Sequence, residues 1–251
     1  VHLRDTLDPD IIGIQETKVN DPEFPIDVIK EIGYHPEYWG QKGHYGVAIL
    51  SKKKPIDVQK GFSKDTAEDQ KRFIQAKFKW GKKSITVMNG YFPQGENRSH
   101  ETKFPKKIKY YADLNRHIKK IQKTEDNLIV MGDFNVAPSS LDIGIGEINA
   151  KRWLKEGKTA FLPEEIDMWN SIKDLGFIDS WREQNPDEGS IYSWFDYRSR
   201  MFDDTPKRGL RIDHILIAEH MKKHIKETGI DYVARAMEKP SDHCPVWVEL
   251  K

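Results

Sequence analysis

Residues 11–18, IIGIQETK, set three isoleucines and a glycine directly against Gln15 and Glu16. A short apolar run of this kind reads as a strand buried on both faces, and such a strand tolerates an acid only where it leaves the sheet. Similar runs bounded by Gly, Pro or charge recur at residues 47–50, 73–78, 85–88, 128–131, 215–218 and 246–250, and each predicts another strand. Between them Phe24, Val28, Ile29 and Ile32 recur at helical spacing, as do Phe104, Ile108, Tyr111 and Ile118, and Ile166, Trp169 and Ile172. Strands and helices mix without a strict βαβ rhythm. That pattern predicts an α/β fold of sheets packed between helical layers rather than a regular doubly wound sheet. The opening residues, 1–7, read as the end of a helix.

The chain has 251 residues, 37% of them hydrophobic, enough for one large core, and residues 1–251 read as a single domain. Its 41 basic and 40 acidic residues nearly cancel, so attraction to an anionic partner must be local. No apolar run approaches the roughly 18 residues that span a bilayer, and the start does not read as a secretory leader. Cys244 is the only cysteine, leads into a strand and reads as packing rather than as a nucleophile. A reducing, cytoplasmic compartment and no membrane partner are the expectation.

The polar residues at the strand ends are of one kind. Gln15 and Glu16 are joined by Asp133 and Asn135 in VMGDFNVAP, Asp213 in LRIDHIL, and Asp242 with His243 in KPSDHCPVW. Alternation places Asp133 and Asn135 on one face, able to reach one site at the rim of a sheet. Any one of these residues could be a helix cap or a solvated turn. Together they form a set, because converging carboxylates repel unless a cation or a proton lies between them. Acids with an Asn and a single His are hard oxygen ligands suited to Mg2+, with Mn2+ as the alternative, and unlike the Cys- and His-rich sites of zinc. A hard metal beside a His suggests attack of water on a phosphate ester.

The stretches IIGIQETKV, GQKGHYGVAIL, NGYFPQGENR, VMGDFNVAP, LDIGIGE, FLPEE, SWFDYRS, RGLRIDHIL and MEKPSDHCPVW together resemble the exonuclease III type apurinic/apyrimidinic endonucleases of the endonuclease/exonuclease/phosphatase superfamily. The resemblance implies a four-layered α/β sandwich, with two central mixed β-sheets flanked by helices. It also implies a Mg2+-dependent DNA repair phosphodiesterase that cuts 5′ to abasic sites and has 3′-5′ exonuclease and 3′-phosphatase activity on duplex DNA. Carried over by position, Glu16 holds the metal, while Asp133 and Asn135 handle the water or leaving group and join the metal set. Asp213 fixes the imidazole of His243, which contacts the phosphate and the metal region. Asp242 lies near a second metal position, and the Tyr91 hydroxyl reaches the phosphate.

For DNA, the resemblance makes Trp194 and Phe195 the apolar wall of a pocket for a sugar without its base. Such a sugar is cheap to extrude. Arg72, Gln94, Asn97 and Arg198 are candidates for the backbone. The lysines and arginine at 103, 106, 107, 109, 116, 119, 120 and 123 read either as a DNA-facing helix or as a solvated basic face. The loop 203–211 reads as slightly longer than the family's usual form and flanks the pocket. The family's first strand, which supplies an asparagine beside the metal, has no counterpart after Val1, so the resemblance is to a domain shortened at its N-terminus. This motivates a second reading, an abasic-DNA-binding remnant with weakened or no catalysis. Retention of Glu16, Asp133, Asn135, Asp213 and His243 argues for a working enzyme, expected to act as a monomer on double-stranded DNA with abasic sites or 3′ ends.

Overall fold

Each apolar run singled out above is a strand in the computed structural model, which describes residues 2–251. In chain order the elements are α1 (His2–Thr6), β1 (Ile11–Gln15), α2 (Ile26–Glu31), β2 (His35–Trp39), β3 (Val47–Ser51), β4 (Asp57–Lys60), β5 (Phe73–Trp80) and β6 (Lys83–Tyr91). There follow α3 (Lys103–Ile121), β7 (Leu128–Asp133), α4 (Glu147–Glu156), α5 (Pro163–Lys173), β8 (Phe177–Asp179), α6 (Ser180–Gln184), β9 (Asp213–Ala218), β10 (Ile225–Ile230), α7 (Tyr232–Arg235) and β11 (Val246–Leu250). The opening helix was read from Val1, which lies outside the described residues. The fold is α/β, with mixed sheets and helices. Contacts group the chain into two compact units, Val1–Tyr91 with His117–Asp133, and Phe92–Arg116 with Phe134–Lys251.

In the first unit β1, β3 and β2 form an antiparallel sheet in the order β1-β3-β2, with Ile11 opposite Ser51 and Gln15 opposite Val47. A second sheet runs through β4, β5, β6 and β7 in that order, antiparallel except for the parallel pair β6 and β7. Parallel pairing needs both strands buried, which Val87, Met88, Ile129 and Val130 satisfy. The register sets Tyr91 beside Asp133, so two strand ends deliver their polar residues together. Gly132, just before that aspartate, sits at φ +138, and a Cβ there would collide with the carbonyl of Gly90.

Gly13 explains how a buried strand carries Gln15 and Glu16. The fully buried Asn89 of β6 reaches into the β1 sheet, where its Nδ2 donates to Ile14 O and Ala48 O, both at 2.9 Å. Its Oδ1 accepts from Gln15 Nε2 at 2.6 Å. A Cβ on Gly13 would stand 2.7 Å from the Met131 methyl and 2.8 Å from Asn89 Oδ1. The methionine end can swing away. The asparagine cannot, since three hydrogen bonds hold it. Gly13→Ala is therefore expected to cost about 1–3 kcal/mol through overpacking. At about 2–4 °C per kcal/mol for a chain of this size, that is a visible fall in Tm by calorimetry, and an unchanged Tm would show that the two faces separate freely.

In the second unit β8 pairs antiparallel with β9, and β10 with β11. Its core includes Ile145, Phe161, Tyr192, Phe195, Leu210 and Cys244, with Trp194 and Phe202 packed partly buried against it. Burial first, and then the nearby Asp213 carboxylate, push the Cys244 thiol up to about 12. A thiol so protonated is no nucleophile, in line with its reading as packing.

Candidate active site

Glu16 follows the last residue of β1 in the left-handed region, φ +57, which turns its carboxylate out of the strand direction. Lys18 Nζ lies 3.3 Å from it, with both side chains about half exposed. The same carboxylate is hydrogen bonded to the hydroxyl of Tyr91. Burial raises the Tyr91 phenol well above its ordinary pKa, and the Asp133 and Glu16 carboxylates raise it further against the opposing charge of Arg72. A phenol in that state keeps its proton and can act only as a donor toward an anion. Arg72 is held on several sides. Its Nη1 donates to Tyr91 O at 3.0 Å and its Nε to Gln70 Oε1 at 2.6 Å. Its guanidinium lies over the rings of Tyr45 (4.1 Å) and Tyr91 (4.7 Å).

Asp133 ends β7 and is buried. The next residue, Phe134, donates its amide to Ile212 O at 2.9 Å, immediately before Asp213. Asp213 is fixed in turn, since Ser193 Oγ accepts the amides of Ile212 and Asp213, each at 3.0 Å. Its two carboxylate oxygens lie 3.0 and 2.9 Å from His243 Nδ1. Nδ1 therefore carries a proton donated to Asp213, which leaves Nε2 as the working end of the ring. Asp213 and His243 thus form one oriented carboxylate–imidazole pair within the second unit, while Asp133 ends a strand of the first.

The other expected site residues are placed as follows. Asn135 is buried at φ +52, with its Nδ2 donating to Phe92 O at 3.0 Å. Asp242 turns its carboxylate to Trp194, accepting from the indole Nε1 at 3.0 Å, so that bond engages the carboxylate that the reading gave to a second metal. Trp194 is half-buried, whereas Phe195 is fully buried in the core and can support a pocket wall only from behind its neighbour. Gln94 and Arg198 are exposed. Asn97 donates to Glu156 O at 2.6 Å and accepts from Ser99, a loop-building role. Lys103 is exposed and pairs with Glu96.

One lysine of the basic helix needs correction. Lys107 is fully buried and forms an ion pair with the equally buried Glu165, so it belongs to neither a DNA-facing nor a solvated surface. The reason is geometric: its position on α3 faces the loops rather than water. Sequence reasoning also missed the buried Asp142, Asp179, Arg211 and His214 beside Asp213. The signal was available in RGLRIDHIL, where an arginine two positions before Asp213 stands among apolar residues.

Residues 2–243 match the Endonuclease/Exonuclease/phosphatase family. The chain is 51% identical to exodeoxyribonuclease III of Haemophilus influenzae over 97% of its own length and 90% of that protein's. Against an exodeoxyribonuclease of Bacillus subtilis it is 30% identical, over 95% and 87% respectively. Among solved structures it resembles the 3′ phosphatase NExo from Neisseria bound to product DNA hairpin, with TM-score 0.90, 34% identity and coverage of 100% of this chain and 92% of that one. An AP endonuclease from Archaeoglobus fulgidus gives TM-score 0.86 and 33% identity, covering 99% and 91%. The strand-end acids, the Asp213–His243 pair and these similarities agree: the chain belongs to the endonuclease/exonuclease/phosphatase family and is a nuclease of its exonuclease III type.

Proposed function

We propose that this nuclease is a Mg2+-dependent DNA repair phosphodiesterase, with Mn2+ as the alternative ion, that incises duplex DNA 5′ to abasic sites and removes nucleotides and phosphates from 3′ ends. The observation that carries the reading is the Asp213–His243 pair. It supplies an oriented imidazole and a carboxylate where a phosphate ester can sit.

Glu16 and Asp133 would hold the ion, with Asn135 and Asp242 as the further donors assigned from sequence; His243, also assigned there, has Nδ1 on Asp213 and keeps Nε2 for the phosphate. Bound there, the ion supplies positive charge that offsets the phosphate's own. Asp133 takes a proton from the attacking water as its oxygen bonds to phosphorus; the bond from phosphorus to O3′ breaks, its electron pair leaves on O3′, and that oxygen takes up a proton from solvent. His243, tied through Nδ1 to Asp213, presents Nε2 to a phosphate oxygen as charge builds in the transition state. Tyr91 donates its retained proton to another oxygen. Arg72, Gln94, Asn97, Lys103, Trp194, Phe195 and Arg198 are the proposed DNA-binding residues, with double-stranded DNA as partner and a monomer as the acting form. Among the described residues no helix is long and apolar enough to cross a membrane. The lone buried Cys244 suits the cytoplasmic setting proposed.

The test is one side-by-side assay on abasic, recessed and 3′-phosphate duplexes. Cleavage is expected with Mg2+, should stop with EDTA and return on adding Mg2+. Affinity should fall steeply with salt, because each phosphate contact contributes a slope of about −0.9 in log K against log salt. Failure to cleave all three substrates, with the duplexes bound, would leave the remnant reading standing instead.

A further inference from the structure

We propose that the buried Lys107–Glu165 ion pair is a positioning device that clamps Asn135 and the Gln94 loop in their working geometry. The proposal rests on Asn135 acting in the site described above.

Both side chains are fully buried, and Lys107 Nζ lies 2.5 Å from Glu165 Oε1. The same nitrogen donates to Asn135 O at 2.8 Å and to Gln94 O at 3.3 Å. An ammonium has three donors and no acceptor, and here the three acceptors come from three separate segments. Glu165 neutralises the ammonium and is itself saturated: its other oxygen accepts from Ala160 N at 2.8 Å and Leu162 N at 2.9 Å at the start of α5. A buried ion pair is a poor way to gain stability, since apolar residues of similar volume often do as well or better. What apolar residues cannot do is hold two carbonyls.

One of those carbonyls belongs to a residue in the left-handed region. Asn135 sits at φ +52, a conformation that asparagine tolerates better than other residues with a side chain and that sets the direction of its carbonyl and amide. Lys107 fixes its main chain, and the hydrogen bond from Nδ2 to Phe92 O fixes the plane of its amide. Gln94 lies two residues beyond Phe92, so the ammonium ties the DFN turn to the loop that receives the Asn135 amide. With the ammonium removed, the Asn135 carbonyl loses a charged donor that also holds the Gln94 loop.

The experiment compares Lys107→Met, Glu165→Gln and the double variant K107M/E165Q. Each single change leaves one buried charge unbalanced and should lower Tm sharply. The double variant removes both charges and keeps an acceptor for Ala160 and Leu162, so its Tm should recover most of the loss. If the pair positions Asn135, kcat of the double variant on abasic duplex stays at least about tenfold below wild type well under its Tm, with Kd for the duplex changing far less. A purely structural pair predicts kcat recovering along with Tm, and that result overturns the proposal. A second readout is independent of cleavage: the side-chain amide resonances of Asn135 should shift in the double variant, and unshifted resonances also overturn it. A wild-type chain that fails to cleave at all would count against the proposed function, while the resonances would still decide the clamp.

Discussion

His243→Ala is expected to lower kcat on abasic duplex by about 10²–10⁴-fold, the range typical for a group that moves or shares a proton in the transition state. Binding of the same duplex should change far less, because the imidazole is used chiefly after the ground state has formed. The geometry makes the prediction specific. His243 Nδ1 faces both oxygens of Asp213, and the amide of Asp213 is pinned by Ser193 Oγ, so the ring has one orientation. Asp213→Asn is the companion variant: it keeps the shape but replaces the carboxylate by a neutral amide with one acceptor oxygen, so kcat should fall again with little change in Kd. A loss confined to Kd in either variant would remove His243 from the chemistry. Parallel cleavage and fluorescence-anisotropy titrations with Mg2+ present check both.

The chemistry at the strand ends was legible because each acid stands out against an apolar run. Glu16, Asp133, Asp213 and His243 are all of that kind, and all lie at or beside the ends of β1, β7, β9 and β11 or their loops. What the sequence hid has physical reasons. The strands β2 (HPEYW) and β4 (DVQK) each have one neighbour, and their polar or proline-bearing sequences leave no apolar run to read. Helix α4 was missed because only Ala150 and Trp153 pack on the core while Ile148 and Leu154 are exposed, too short a stripe to stand out. Lys107 looks like its neighbours in a lysine-rich helix. Only Glu165, far along the chain, distinguishes it, and a partner at that separation leaves no local pattern. Asn89 is hidden likewise, since its role depends on the space left by Gly13 on another strand.

The largest stability effect is expected from Arg211→Met. Arg211 is almost wholly buried, with Nε donating to Asp142 Oδ1 at 2.7 Å, Nη2 lying 2.8 Å from Asp179 Oδ2, and Nη1 3.0 Å from His214 Nδ1. His214 carries the connection onward by donating from Nε2 to Val136 O at 2.8 Å. Removing the guanidinium leaves the buried Asp179 carboxylate without it, while Asp142 keeps Arg182 on its Oδ1, and breaking such a pair costs about 3–5 kcal/mol. At about 2–4 °C per kcal/mol, Tm should fall by roughly 6–20 °C. The pH dependence gives the prediction its sign. Burial alone would raise the Asp179 carboxyl, but the Arg211 guanidinium, with His214, holds it well below the usual carboxylate range. A depressed folded pKa contributes stability above the unfolded value of about 3.9, and that contribution is lost as pH falls through and below it. In Arg211→Met burial dominates, the folded pKa rises, and Asp179 takes up a proton instead of remaining charged. The gap in unfolding free energy between wild type and variant should therefore be widest near pH 7 and narrow toward pH 4. Urea melts at the two pH values measure it. A gap that stays constant would mean that Asp179 does not depend on Arg211 for its charge. Because Arg211 lies two residues before Asp213 on the same segment, the variant's surviving folded fraction should also show a lowered kcat; full turnover in that fraction would confine the network to stability alone.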